Sequence, residues 1–341
     1  MMQKVLFVSP NVGGFYKVMI EEMNRQGYEV DYISDKYIDG DPFYVRGNNI
    51  KCSEEYLKKI KDKRRAYWEF FLTKSEYDKI YDILFVIDGK VLDEYLFDTL
   101  RKRNPQLKTI NYLYDTTRSI YRFDMNFHFF DRVITFDRED AQTYNLEFLP
   151  IPWFVHKTNS CVKYKMFGLG TYIPSRYTLY KFVEDIANSL KQNSYIKLYS
   201  GKVSLYPIKY IYNLFSRTKP YLPPYKYYSN LIVHSFISQD EFSRIMDESE
   251  IVIDSIDSRQ DGLTARCTWA LGAEKKIITD NVSVKLYDFY TPGQIFVIED
   301  YSEKTKKKLI QFIDTPYSMD AKTRELISYF RIDNWIKNVL S

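Results

Sequence analysis

Short apolar runs alternate with stretches of helical periodicity along almost the whole chain, and this limits the possible folds more than any other feature. Residues 4–9 read as a buried strand and Asn11-Val12-Gly13-Gly14 as a turn. Residues 15–26 read as an amphipathic helix closed by Gly27, and residues 29–33 as the next strand. A strand, turn, helix and strand in that order begin a parallel sheet, because parallel neighbours need a helical crossover. Further strands are expected at 83–87, 109–113, 132–136 and 146–149, with helices around 53–72, 93–104 and 139–144.

Pro150-Ile151-Pro152-Trp153 interrupts the series, and the polar stretch 156–163 reads as a linker. A second series follows, with strands at 165–169, 196–199, 232–235, 251–255, 276–279 and 295–298. Its helices fall at 177–192, after Ser238 with Glu241 as a capping box, and at 264–271. At 341 residues the chain exceeds the size at which single cores divide, roughly 250–300 residues. The expected fold is α/β: two Rossmann-like, doubly wound domains facing a cleft. Their expected spans are residues 1–155 and 164–322, with a helix at 323–341 returning to the first. Ligands in such sheets bind beyond the carboxyl ends of the strands.

The charge is +4, from 49 basic and 45 acidic side chains, too even for a dedicated nucleic-acid-binding face. Cys52, Cys161 and Cys267 are dispersed, as are His128, His156 and His234, so no metal site or disulfide framework is expected. Asp39-Gly40-Asp41 resembles a metal-binding DxD triplet but stands where a turn calls for Asp and Gly. No apolar run approaches the ~20 residues of a membrane span, and the N-terminus carries no signal-peptide pattern, so the expected compartment is cytoplasmic. The basic helix at 58–71 and the Tyr-, Pro- and Lys-rich stretch 206–228 would suit a peripheral contact with the inner membrane face. An ordinary helix and an insertion packed on the domain account for them more simply.

The strongest candidate site lies in residues 251–281, IVIDSIDSRQDGLTARCTWALGAEKKIITDN. A buried strand ends in a loop with Gln260, Asp261 and Gly262, and a helix starts at Leu263-Thr264. Free N–H groups at a helix N-terminus suit a diphosphate, and Arg266 in the first turn brings a guanidinium fork. The alternative is a plain αβ unit with a solvated arginine. Gly170, Tyr172 and Arg176 follow the first strand of the second half, and Lys202 the next, so both could serve the same diphosphate. Tight turns with surface cations are the competing account. In the first half, Asn11, Gly13 and Gly14 form a small-residue loop, and Arg118 follows a later strand. Asp115 and then Asp88 are the candidates for a base that deprotonates an acceptor hydroxyl, against helix capping as the simpler role.

The run QDGLTAR…ALGAEKKIITDN…YDFY resembles the donor region of two-domain GT-B glycosyltransferases, especially bacterial capsule, lipopolysaccharide and spore-maturation-like members. YDILFVIDGKVLDEYLFDTLRKRNPQLKTINYLYDTTRS, FFDRVITFDREDAQTYNLEFLPIPW and GLGTYIPSRYTL are similar in order and spacing, so the resemblance covers nearly the whole chain. It implies a nucleotide-sugar donor bound mainly by the second domain, a glycan or lipid-linked acceptor on the first, and no cofactor. One departure stands out. Such enzymes commonly carry an acidic residue, able to bind ribose, three positions before the glycine of the LG pair, where this chain has Trp269. Asp254 and Asp257 are the candidate replacements, with strand-end turns as the alternative. Two other readings stay open: a nucleotide-sugar epimerase or phosphorylase-like enzyme on the same scaffold, and a non-catalytic sugar-nucleotide-binding subunit.

Overall fold

In a computed structural model of the chain, the residues described are 2–11, 14–36, 38–41, 52–154, 161–200 and 231–341. Gly13, His156, Lys202 and the stretch 206–228 lie outside them. Two compact units result: Met1–Pro152 with Ser258–Gly262 and Phe330–Ser341, and Trp153–Asp257 with Leu263–Tyr329.

The first unit holds a sheet of strands β1 (Lys4–Ser9), β2 (Glu29–Ser34), β3 (Ile83–Ile87), β4 (Lys108–Leu113), β5 (Arg132–Thr135) and β6 (Glu147–Phe148). They lie in the order β2-β1-β3-β4-β5-β6, every pair parallel. All residues of β3, ILFVI, are buried, as expected of a central strand covered on both faces. Helices α1 (Phe15–Arg25), α2 (Glu54–Leu72), α3 (Glu94–Arg103) and α4 (Arg138–Tyr144) make the crossovers, and a 3₁₀ helix spans Phe123–Phe129. Helix α2 starts where the Ser53 hydroxyl accepts the Tyr56 N–H at 3.2 Å. It buries Ile60, Arg64, Trp68 and Leu72, one stripe at four-residue spacing, of which Trp68 and Leu72 join a core cluster with Leu96, Phe97 and the β1–β3 side chains Leu6 and Leu84.

The second unit repeats the plan with β7 (Tyr164–Thr171), β8 (Ser194–Tyr199), β9 (Ile232–Val233), β10 (Ser249–Asp254), β11 (Lys276–Thr279) and β12 (Ile295–Val297). Their order is β12-β11-β10-β7-β8-β9, again all parallel. Helices α5 (Pro174–Ser189), α6 (Gln239–Asp247), α7 (Ala265–Gly272), α8 (Glu303–Asp314) and α9 (Ala321–Ser328) pack around it. Tyr180, Val183, Leu198, Ile253, Ile278 and Leu309 anchor its core. Two Rossmann-like units of this kind constitute a GT-B-like fold. In each, the strand order reverses beside the first strand, between β1 and β3 and between β7 and β10. Those are the topological switch points where an open α/β sheet takes ligands.

The single C-terminal helix expected from the sequence is two. Helix α9 ends at Ser328, and α10 (Ile332–Leu340) starts afresh beyond Arg331, whose extended backbone breaks the helix. Helix α10 belongs to the first unit, where Trp335 is fully buried and donates its indole N–H to Pro150 O at 3.1 Å. The Gln26 side chain holds Asp333 O at 2.8 Å, and Arg132 donates to Val339 O at 2.7 Å. Among the described residues no helix is long and apolar enough to cross a membrane.

Candidate functional site

At the β7–β10 switch point of the second unit, two arginines converge on one carbonyl. Asp254 closes β10, and its Oδ1 accepts Arg266 Nε at 3.0 Å and the Thr264 hydroxyl at 2.7 Å. Arg266 also donates to Leu169 O of β7 and, at 3.4 Å, to Ser255 O. Arg176, in the first turn of α5, reaches the same Ser255 O at 3.1 Å and Thr171 O at 2.8 Å. Burial opposes the charge on Arg266, but Tyr180 and Asp254 outweigh it and hold its pKa above the ordinary value. Arg176 shifts down, through burial first and the charge of Arg266 second. Asp280, which accepts the Ser255 hydroxyl at 2.8 Å, is pushed up by burial.

Two polar atoms of this cluster have no hydrogen-bond partner although buried: Arg176 Nε and Asp254 Oδ2. Leaving a buried charged group unsatisfied is costly, so native proteins keep such atoms mainly where function needs them. One is a donor suited to a phosphate oxygen, the other an acceptor suited to a hydroxyl. Gly170 permits the arrangement, since a Cβ there would lie 2.9 Å from Arg176 Cδ.

The structure changes the expected roles of several neighbours. The helix after Gly262 was to offer free N–H groups, yet Thr264 caps α7 by accepting the Cys267 N–H at 3.1 Å, and Leu263 is core. Helix α5, by contrast, has no side-chain cap and carries Pro174 in its first turn. Gly262 serves packing: a Cβ would stand 2.3 Å from Phe136 O. Tyr172 is buried in the core beside Tyr177, ring centroids 5.9 Å apart, rather than offered to a ligand. Asp257 ends its segment of the second unit, half-buried, whereas Gln260 lies in the Ser258–Gly262 segment of the first. Trp269 packs between Phe154 and Phe242, with centroids at 5.0 and 5.8 Å, an aromatic contact that an acidic residue could not make.

In the first unit, Asp88 and Gly89 follow β3 with φ of 61° and 75°. Asp88 is buried and accepts the Tyr114 and Asp115 N–H groups at 2.6 and 3.0 Å, a structural task that leaves it ill placed as a base. Lys90 bridges Asp88, at 3.1 Å, and Asp115. Burial works against the Lys90 charge, but the two carboxylates prevail and its pKa rises. Asp115 keeps about a quarter of its side chain exposed (26%), so it is the more accessible carboxylate. Asp35 accepts the Lys90 and Val91 N–H groups, both at 3.0 Å, and burial pushes it up to about 6. Asn11 is exposed, and Gly14 starts α1 in the left-handed region at φ 71°. In the DxD-like turn, Arg64 holds Asp41 with bonds of 2.7 and 2.5 Å.

Arg118, expected to face an acceptor, instead organises a loop. It grips Asp137 with two 2.9 Å bonds and donates to Arg259 O at 2.9 Å. Asp137 in turn accepts the Asp261 N–H at 2.8 Å, and the Asp261 carboxyl caps the Arg138 N–H at 2.9 Å. Burial, then the hydrogen bond and charge of Asp137, push Asp261 up to about 6. A raised acid contributes stability that is complete below its unfolded value, ~3.9, and lost as pH climbs through its folded value. Asp261→Asn keeps a neutral donor toward Asp137, so its unfolding midpoint is expected to fall less than that of the parent between pH 5 and 7. Thermal unfolding across that range checks this, and identical slopes would refute the raised Asp261 carboxyl. Asp261 stood in the candidate loop without a role, whereas Lys90, Asp35 and Asp137 went unpredicted; only the spacing of Lys90 from Asp88 in DGK hinted at one of them.

Neither a scan against family models nor a search of curated proteins finds a match. Solved structures do match. An α,α-trehalose-phosphate synthase (UDP-forming) from Burkholderia vietnamiensis superposes with a TM-score of 0.63 at 9% identity, over 100% of this chain and 96% of that one. An α-glucosyltransferase in complex with UDP-glucose and DNA containing an abasic site gives 0.51 at 12%, over 99% and 95%. A protein from Listeria monocytogenes, whose name proposes a UDP-N-acetylglucosamine 2-epimerase, gives 0.50 at 9%, over 99% and 94%. At such identities the likeness is one of fold.

Proposed function

We propose that this chain is a glycosyltransferase that takes a nucleotide-diphosphate sugar in its second unit and passes the sugar to a glycan or lipid-linked acceptor held by the first. The observation that carries the reading is the arginine pair at the β7–β10 switch point, with Arg176 Nε and Asp254 Oδ2 both buried and unsatisfied. In this reading Arg176 donates to the diphosphate, and Arg266, fixed by Asp254, adds charge behind it. Asp254 Oδ2 accepts a sugar or ribose hydroxyl, taking the place of the acidic residue absent at Trp269. As the glycosidic bond breaks, negative charge collects on the departing diphosphate, so cations there stabilise the transition state beyond the ground state. Asp115 takes the proton of the attacking hydroxyl.

Thermal unfolding with a panel of nucleoside diphosphates and their sugars tests the donor site. A ligand at 100 times its Kd adds about 2.7 kcal/mol. Arg176→Gln is expected to weaken the best ligand at least tenfold while leaving the unliganded midpoint nearly unchanged. A chain that no nucleoside diphosphate stabilises would end the reading. The epimerase-like fold match supports a second reading, in which a nucleotide-sugar is turned over without acceptor. Product formation with acceptor omitted separates the two.

A further inference from the structure

The first unit has a cavity of its own that points to a ligand. A cavity of about 580 Å³ by β12 holds the Lys285–Glu299 ion pair and offers no buried unsatisfied polar atom among its described lining residues, and it carries nothing further. A cavity of about 440 Å³ between α2, the segment after β3 and the 3₁₀ helix differs. Asn126 fastens that helix to the segment by donating to Gly89 O at 3.1 Å. Leu57, Ile60, Leu92 and Met125 give it an apolar lining, and Met125 is 45% exposed. Of the cations around it, Arg64 is held by Asp41 and Lys61 faces Glu94 at 3.6 Å. Lys58 and Arg122 also line it, and among the described residues neither side chain makes an ion pair or hydrogen bond. Arg122 stands in the left-handed region at φ 47°, a conformation costly for a residue with a side chain.

Asp93 supplies the independent observation. It is 4% exposed and lines the cavity; Oδ1 caps α3 through the Tyr95 N–H at 3.0 Å, while Oδ2 is buried without a partner. A carboxylate oxygen in that state calls for a hydroxyl or N–H donor. Unpaired lysine and arginine call for an anion, and the apolar lining suits the C–H face of a sugar ring. The volume suits a monosaccharide-sized ligand.

We propose that this cavity binds a polyol phosphate, its hydroxyls on Asp93 and its phosphate at Lys58 and Arg122. The assignment stands whether or not the chain transfers sugar. The phosphate could belong to a free sugar phosphate or to a lipid headgroup, and two arms distinguish them. Calorimetry on the full chain uses glucose 6-phosphate, and co-sedimentation uses phosphatidylglycerol vesicles against phosphatidylcholine vesicles. At least one arm is expected to give saturable binding. Lys58→Gln/Arg122→Gln, both exposed positions, is expected to weaken it tenfold or more. Asp93→Ala should do likewise for glucose 6-phosphate, with Arg176→Gln binding as the parent does. Retention in the calorimetry arm assigns a free sugar phosphate, and retention only on phosphatidylglycerol a lipid headgroup. Binding in neither arm, undiminished binding by the double variant, or loss in Arg176→Gln instead would overturn the site.

Discussion

Arg266→Ala is expected to destabilise the second unit by about 3–5 kcal/mol, the range for breaking a buried ion pair from one side. Asp254 is 1% exposed, and without Arg266 its carboxylate keeps only the Thr264 hydroxyl. Leu169 O and Ser255 O lose a donor in the same step. This variant alone therefore cannot report on catalysis, because folding and donor binding fail together. The pair can be removed whole: Arg266→Met/Asp254→Leu replaces two buried charges with apolar side chains of similar bulk. Such replacements are often neutral or stabilising. The double variant is expected to recover most of the lost stability in urea unfolding while binding nucleoside diphosphate at least tenfold more weakly than the parent. Recovery of both would mean that the pair is scaffold only. An Arg266→Ala protein as stable as the parent would contradict the buried pair itself.

Gly272→Ala should cost about 3 kcal/mol, at the upper end for overpacking a filled core. A Cβ at Gly272 would lie 2.2 Å from Cε3 and 2.3 Å from Cδ2 of Trp153, far inside van der Waals contact with the indole. Trp153 is 7% exposed and donates its N–H to Ile327 O at 2.8 Å, so moving it forfeits both packing and a hydrogen bond. Alanine is otherwise the better helix former, and local propensity alone forecasts the opposite sign. Trp153→Leu makes room, so the Gly272→Ala penalty should shrink by more than half in that background, a coupling measurable by a double-mutant cycle. An unchanged penalty there would locate the strain in the backbone instead.

Nearly every strand was legible in the sequence because a strand buried on both faces must be continuously apolar, as ILFVI at 83–87 is. Helix starts were legible where a single side chain makes them: Ser238 does accept the Glu241 N–H, at 3.1 Å. The break into two series at Pro150-Ile151-Pro152 lies at the boundary between the compact units. Such features depend on residues within one or two turns of each other, which periodicity and capping rules reach.

The site followed other rules. Arg266 and Arg176 were visible as candidates because each follows a strand-end turn, but what occupies them was not. Arg266 is fixed by Leu169, 97 residues earlier, and Arg118 is drawn to Arg259 O, 141 residues away. Gly262 reads as a phosphate-loop glycine, yet it is needed because Phe136 O leaves no space for a side chain. The sequence by itself determined the elements and the rims on which charged residues would stand. Only the tertiary structure decided which of those charges meet. Strand order in a parallel sheet is set by crossovers tens of residues long, and a partner's identity is written in that order rather than in any local pattern.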